Sequence, residues 1–366
     1  MAFLYKIQKL ILILFVVLTL IVATWVIGYK FLIPQEVYAW NNRYMLFGNR
    51  NTEPVFENVG PIFKYQPNTK ILSTTYYDVQ GNWIQEYSYQ IPTNNLGLVQ
   101  SENIYSNRKS LLLLGNSYTE GQGATPWFDS LQKKIETSLQ LVNGGIFGTG
   151  FAQWEVMLDH ILSKKIDVQY VVVIFISDDY TRLISNIPTQ TLACLSDYQK
   201  CTGGEGNYGM PPDAVKLGFL EKLRSYRVKS TQAANPKIPS YMDNYFPASM
   251  LIFNYFKNGF VFENSQPINK MDQSDKAIES LINKYQQNII FIHLPQKDEV
   301  IYKRVNPAGS LARSTILNYG GQLIDGFKAC GLNRLDYFSN DGHPNEAGYS
   351  KIEECVRRSI PSQWLH

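Results

Sequence analysis

The chain has 366 residues, of which 45% are hydrophobic and 18% charged. That balance excludes a disordered or low-complexity protein and leaves room for a sizeable core, in two domains or in one large domain with additions. Lys and Arg number 34 against 31 Asp and Glu, a net charge of +3, which gives no concentrated basic footprint and no support for nucleic-acid binding.

The N-terminus is distinct from the rest. Lys6 and Lys9 precede a run without charge over residues 10–29. Twenty helical residues span about 30 Å, the thickness of a bilayer core. The run exceeds the roughly 7–15 residues of a secretory h-region, and Val22-Ala23-Thr24-Trp25 lacks the small-x-small end of a cleavage site. Residues 1–30 are therefore read as an uncleaved signal anchor in preference to a cleaved signal peptide or a buried core helix. Its positive end stays cytoplasmic and the remaining chain is extracytoplasmic, periplasmic or at the cell surface.

Residues 31–107 are rich in Tyr, Asn and Pro. Segments 73–79 and 83–90 alternate and carry β formers, with Gln80-Gly81-Asn82 as a hairpin turn between them. This reads as a small β-rich extension. A main domain follows over residues 108–366. Leu111-Leu112-Leu113-Leu114 reads as a strand buried on both faces. Segment 127–139 is helical in spacing, 141–142 a short strand, 153–162 a helix and 168–176 a strand. A helix-rich insertion occupies about 187–272, with the Gly/Pro stretch 202–212. Segment 275–285 is helical, 288–294 a strand and 346–358 a closing helix. This alternation predicts an α/β fold with a doubly wound parallel sheet. Ligands of such sheets bind beyond the C-terminal ends of the strands, which directs attention to the turns after Leu114, Val142 and Ile176 and before the last helix.

The four cysteines fit an oxidising compartment. Cys194 and Cys201 lie seven apart, and Cys330 and Cys355 bracket the last segment. Three pairings are possible, and the near-neighbour one is expected; the alternative is four unrelated core residues. No pair has the C-x-x-C spacing of a redox or zinc site. With four His and four Cys in the chain, a multi-metal site is not expected, and the serine chemistry of the turns that follow needs neither a metal nor an organic cofactor.

Three turns carry candidate chemistry. Gly115-Asn116-Ser117 follows the first buried strand, where a Ser would present its Oγ at the sheet rim as a nucleophile or serve as a plain helix N-cap. Asp341-Gly342-His343-Pro344 places a carboxylate two residues before an imidazole, on one side of an extended segment, as a base and its orienter require; the alternative is a solvated turn. His160, His293 and His366 lie in a helical stretch, in a strand and at the chain end, and are poorer bases. Asn143-Gly144-Gly145-Ile146-Phe147-Gly148-Thr149-Gly150 would let backbone N–H groups approach an oxyanion, or be a simple loop.

Together these pieces resemble the SGNH/GDSL hydrolase family. Gly115-Asn116-Ser117, with Thr119 and Gly121, resembles the first block; 143–150 the second, with Gly148 best matching the oxyanion-hole glycine; 174–179 the third; and Asp341-Gly342-His343-Pro344-Asn345 the last. The likeness covers about 110–358, the insertion unmatched. It implies a flavodoxin-like three-layer α/β/α fold and a Ser117–His343–Asp341 triad. More narrowly, Asn95-Leu96-Gly97-Leu98 and Pro295-Gln296-Lys297 resemble segments of the membrane-anchored, exported branch that includes alginate O-acetyltransferase-like proteins. Asn116 replaces the usual Asp of the first block. Asp178 stands where the family has an Asn that donates to the oxyanion, and an ionised carboxylate only accepts; a protonated Asp178 or the hydroxyl of Ser177 would have to donate instead. The residue three before the His, often the Asp, is Asn340, so Asp341 serves.

The resemblance implies a serine esterase or O-acyltransferase acting on an ester, expected to be an O-acetyl group of an envelope or secreted polysaccharide. A lipid esterase or thioesterase and a non-catalytic binding or scaffold protein are the alternatives. Tyr245, Phe246 and Tyr255 of the insertion are candidates for stacking on sugar or for packing.

Overall fold

The computed structural model describes residues 2–27, 43–49, 54–79, 81–124, 127–135, 137–234 and 271–365. Its first element is a helix, Ala2–Ile27, whose Leu10, Leu14, Phe15 and Leu18 are exposed. Among the described residues no helix is long and apolar enough to cross a membrane.

Five strands follow: β1 (Arg43–Asn49), β2 (Phe56–Val59), β3 (Ile62–Tyr65), β4 (Lys70–Val79) and β5 (Asn82–Pro92). The alternating segments form the expected hairpin, β4 antiparallel to β5 with Val79 opposite Asn82. β1 pairs antiparallel with β4 on its other side, Arg43 opposite Tyr77. The β4–β5 register shifts between Thr75 and Tyr76, leaving Glu86 as an extra residue on β5. Such a bulge re-aims side chains, and Glu86 and Tyr87 both reach the C-terminal loop described below.

The main sheet contains β6 (Lys109–Gly115), β7 (Gln140–Gly145) and β8 (Asp167–Phe175). A short β9 (Asn207–Gly209), from the insertion, joins the N-terminal sheet beside β1. β10 (Ile289–His293) and β11 (Gln322–Asp325) complete the main sheet in the order β11-β10-β8-β6-β7, with every pairing parallel. In sequence rank this is 2-1-3-4-5 read from the other edge, the flavodoxin-like order, whose switch point lies beside its first strand, β6.

Successive side chains of a strand face opposite ways, and the four leucines divide accordingly. Leu112 and Leu114 join Val171, Val173 and Phe291 under helices Phe151–Ser163, Met271–Tyr285 and Pro307–Asn318. Leu111 and Leu113 join Val172, Ile174 and Ile292 under helices Phe128–Lys134 and Glu346–Ser359. All four are 0% exposed, and each full burial contributes about 1.5–3 kcal/mol. The result is a three-layer α/β/α arrangement. Met45, Phe47, Tyr87 and Ile91 of the N-terminal sheet belong to the first of these clusters, so the core runs without a break across the boundary expected near residue 107.

Differences from the sequence reading are local. Segment 127–139 is helical only over Phe128–Lys134, because Ile135 turns extended. β11 and helix Pro307–Asn318 were not expected. β11 is a four-residue edge strand without a fully buried residue, so it carries no apolar run. The insertion holds helices Thr189–Ser196 and Lys216–Ala234; Tyr245, Phe246 and Tyr255 lie outside the described residues. Both near-neighbour disulfides are present, Cys194–Cys201 and Cys330–Cys355, with Cα separations of 4.5 and 4.9 Å.

Candidate active site

β6 delivers Ser117 to the rim of the sheet. A Cβ on Gly115 would lie 1.9 Å from Thr119 Oγ1 and 2.6 Å from the Ile174 carbonyl oxygen, so the tight exit from β6 admits only glycine. Asn116, not Ser117, caps the helix Ser117–Glu120, its Oδ1 accepting the Tyr118 N–H at 2.7 Å. The Ser117 hydroxyl is thereby left for His343, whose Nε2 lies 2.8 Å from Oγ. His343 Nδ1 is 2.5 Å from Asp341 Oδ1, which also accepts the His343 backbone N–H at 3.1 Å. The loop carrying this pair is held on several sides. Phe338 N–H donates to the His343 carbonyl at 3.0 Å, and Tyr118 OH to the Gly342 carbonyl at 2.6 Å. Glu86 accepts the backbone N–H and side-chain amide of Asn340 at 2.8 and 2.7 Å. Lys297 Nζ donates to the carbonyls of Phe338 and Ser339 at 2.8 and 2.7 Å.

The second oxygen of Asp341 meets the N-terminal sheet, which sequence reasoning missed. Tyr77 OH and Tyr87 OH each donate to Oδ2 at 2.8 Å, and Arg43 Nη2 stands 3.5 Å from it. The Tyr87 oxygen accepts from Arg43 Nη2 and from Gln122 Nε2, both at 2.8 Å, which fills its lone pairs and leaves its one proton for Asp341. The tyrosines were visible in the alternating strands, but no local pattern pairs them with a carboxylate 254 and 264 residues away.

The charges are ordered to suit a base. Burial pushes the Asp341 carboxyl up, but Arg43, His343 and the Tyr87 hydroxyl outweigh it and hold the group well below the usual carboxylate range. Burial lowers His343, with Arg43 and Arg182 acting the same way and Asp341 opposing them. The imidazole is thus neutral near pH 7, with an oriented anion behind it.

The three expected oxyanion residues are placed differently from one another. Gly148 sits exposed in a loop tied to the end of β6, the Ile146 N–H and Thr149 Oγ1 donating to the Gly115 carbonyl at 3.1 and 3.2 Å. Its φ of +71° lies in the left-handed region while a Cβ there meets nothing, so backbone conformation, not space, selects the glycine. Beside it, the Phe147 N–H donates to buried Glu120, whose other oxygen accepts from Tyr65 OH at 2.8 Å; burial raises Glu120 to about 7. Ser177 corrects the expectation. It is 0% exposed and its hydroxyl donates to Glu299 at 2.5 Å, with His293 Nε2 at 3.1 Å, so the structure does not bring it to Ser117 as a donor. Asp178 is bound by Gln296: the amide donates to Oδ2 at 2.9 Å and accepts the Asp178 N–H at 3.2 Å.

Asn116 also finds an account. Its Nδ2 donates to Asp179 Oδ2 at 2.5 Å, and Arg182 donates to the other oxygen of Asp179. Burial lifts Asp179 to about 7 despite these partners. An aspartate at 116 would set two carboxyls against each other, whereas the amide supplies the donor. The Ser177–His293–Glu299 cluster is not a second triad, since the serine and not the imidazole meets the carboxyl. Burial lowers His293 to about 3 and raises Glu299 to about 7, so His293 is neutral. Among the described residues no group of three or more His, Cys, Asp or Glu could hold a metal ion.

No family model and no curated protein matches the chain. Among solved structures it is similar to an acetylxylan esterase from Geobacillus stearothermophilus, at 13% identity and a TM-score of 0.34 over 72% of this chain and 98% of that one. It is similar to a member of the lipolytic G-D-S-L family from Veillonella parvula, at 10% identity and 0.34 over 69% and 98%. An α/β hydrolase enzyme from the metagenome of Lake Arreo, Spain, gives 13% identity and 0.30 over 70% and 97%. Likenesses this distant leave the chemistry to the side chains themselves.

Proposed function

We propose that the protein is a serine esterase or O-acyltransferase of SGNH/GDSL type. The observation that carries the reading is the hydrogen-bond chain from Ser117 Oγ through both ring nitrogens of His343 to Asp341, set at the C-terminal end of β6. Ser117 Oγ attacks the ester carbonyl carbon while its proton passes to His343 Nε2. Asp341 stays ionised and stabilises the imidazolium without taking its proton. The N–H groups of Ser117 and Gly148 receive the developing oxyanion, and Asp178, hydrogen-bonded to Gln296, stands at the sequence position of the family's amide donor. The imidazolium returns the proton to the leaving alkoxide, so an alcohol departs and an acyl-enzyme remains. Water as the second nucleophile gives hydrolysis, and a sugar hydroxyl gives transfer.

The substrate class is an O-acetyl ester on an envelope or secreted polysaccharide. This rests on export, which is itself part of the proposal: residues 10–29 form an uncharged run behind Lys6 and Lys9 and anchor the chain to a membrane with the site outside the cytoplasm. The test is turnover of para-nitrophenyl acetate by the full chain in mild detergent, beside Ser117→Ala. Activity in the wild type that is lost in the variant supports the reading; the same background rate in both refutes it.

A further inference from the structure

We propose that Arg43, Tyr77 and Tyr87, carried by three neighbouring strands of the N-terminal sheet, are positioning residues that lock Asp341 onto His343 and set the charge the imidazole feels. The inference rests on the reading of Ser117, His343 and Asp341 as the catalytic group and adds a second unit of the fold to that group.

The registers put the three side chains on one face. Arg43 lies directly opposite Tyr77 across β1 and β4. Tyr87 lies opposite Thr75, two residues along β4 from Tyr77 and therefore on the same side of the pleat. The face points at Asp341, and all three contacts go to Oδ2, leaving Oδ1 to the ring and backbone of His343. A packing role alone would not require this division. With donors on both oxygens the carboxylate plane is fixed, and with it the ring that Oδ1 holds. Both tyrosines are at least nine-tenths buried, and Tyr87 donates to Asp341 while accepting from Arg43 and Gln122.

Arg43 has an electrostatic part as well. The charged and titratable groups around His343 are Asp341, Arg43 and Arg182, with Tyr118 5.6 Å away between ring centroids. Asp341 favours the imidazolium, and the two cations disfavour it. Removing the Arg43 charge therefore makes His343 more basic. A general base works when neutral, so the acid limb of kcat/KM moves to higher pH when Arg43 loses its charge.

The test uses the full chain with Tyr87→Phe, Arg43→Gln and Arg43→Lys. Tyr87→Phe is expected to lower kcat about tenfold with KM unchanged, the scale of one lost hydrogen bond to a charged group. Arg43→Gln is expected to move the acid limb upward, and Arg43→Lys to return it. The same shift is read without turnover by NMR titration of the His343 ring, assigned by the signal missing in His343→Gln. An unmoved limb and titration in Arg43→Gln at wild-type Tm, or wild-type kcat in Tyr87→Phe, overturns the proposal. Should Arg43→Gln not fold, Tyr87→Phe and Arg43→Lys decide. Should the wild type itself not turn over ester, the esterase reading falls, and the His343 titration alone decides the positioning claim.

Discussion

Replacing Asp341 with Asn changes one atom, and the surrounding donors determine which way the new amide faces. With its oxygen toward Tyr77, Tyr87 and Arg43, all three keep an acceptor, and only the His343 backbone N–H, now 3.1 Å from an amide nitrogen, loses one. The reverse orientation turns an NH2 toward Tyr87, whose lone pairs are taken, and toward the Arg43 cation. Each buried donor left without an acceptor costs about 1–3 kcal/mol, more when it is charged. The first orientation therefore wins by roughly 2–5 kcal/mol, or about 30- to 5,000-fold at 1.36 kcal/mol per decade. In that orientation the amide NH2 meets Nδ1, the ring proton moves to Nε2, and Nε2 points a donor at Ser117 instead of a lone pair. Loss of the anion behind the imidazolium adds to this, so kcat for para-nitrophenyl acetate near pH 8 is expected to fall about 10³–10⁴-fold. Asp341→Ala, which offers the ring no amide, is expected to fall less. Asn activity within tenfold of wild type, or Ala worse than Asn, would refute the tautomer argument.

Three further outcomes follow from other parts of the molecule. Asp178→Asn leaves an oxygen for the Gln296 amide and adds an NH2 at the rim; a rise in kcat of up to about 10²-fold is expected, and no change or a fall counts against Asp178 bordering the oxyanion. Glu120 is raised by burial from 4.5 to about 7, so between these pH values the folded chain binds more protons than the unfolded one and stability falls as pH rises; the decline of Tm with pH over this window should flatten in Glu120→Gln. From sequence separations of 25 and 7, loss of the Cys330–Cys355 bridge should cost about 3.5 kcal/mol and loss of Cys194–Cys201 about 2.4 kcal/mol, measured as the difference in denaturant midpoints of double-Ala variants.

Much of the central sheet was legible because burial on two faces writes itself as unbroken apolar runs, as in Leu111 to Leu114 and in β8. The hairpin was legible for the opposite reason, one-sided alternation around a Gly turn. β11 was not, since a four-residue edge strand with no fully buried residue carries neither signal. At the site, the proximity of Asp341 and His343 could be read from a spacing of two. The fate of Ser177 could not: its neighbour Glu299 enters from a helix more than 100 residues on, and nothing local says which side of the strand end the hydroxyl takes. The same holds for Arg43, Tyr77 and Tyr87, whose meeting with Asp341 depends on how one sheet packs against another.

The distance in sequence between Ser117 and His343, 226 residues, also has a meaning in time. At synthesis rates of about 5–20 residues per second, His343 emerges roughly 10–45 s after Ser117. The N-terminal sheet and the Ser117 turn exist well before anything can draw the proton from that hydroxyl. On the proposed reading a growing chain is therefore chemically idle, and reactivity switches on only when the final turn and the last helix dock, beside the Cys330–Cys355 bridge. If the N-terminus stays on the cytoplasmic side of a membrane, as proposed, that order would confine ester chemistry to the side on which the C-terminus arrives.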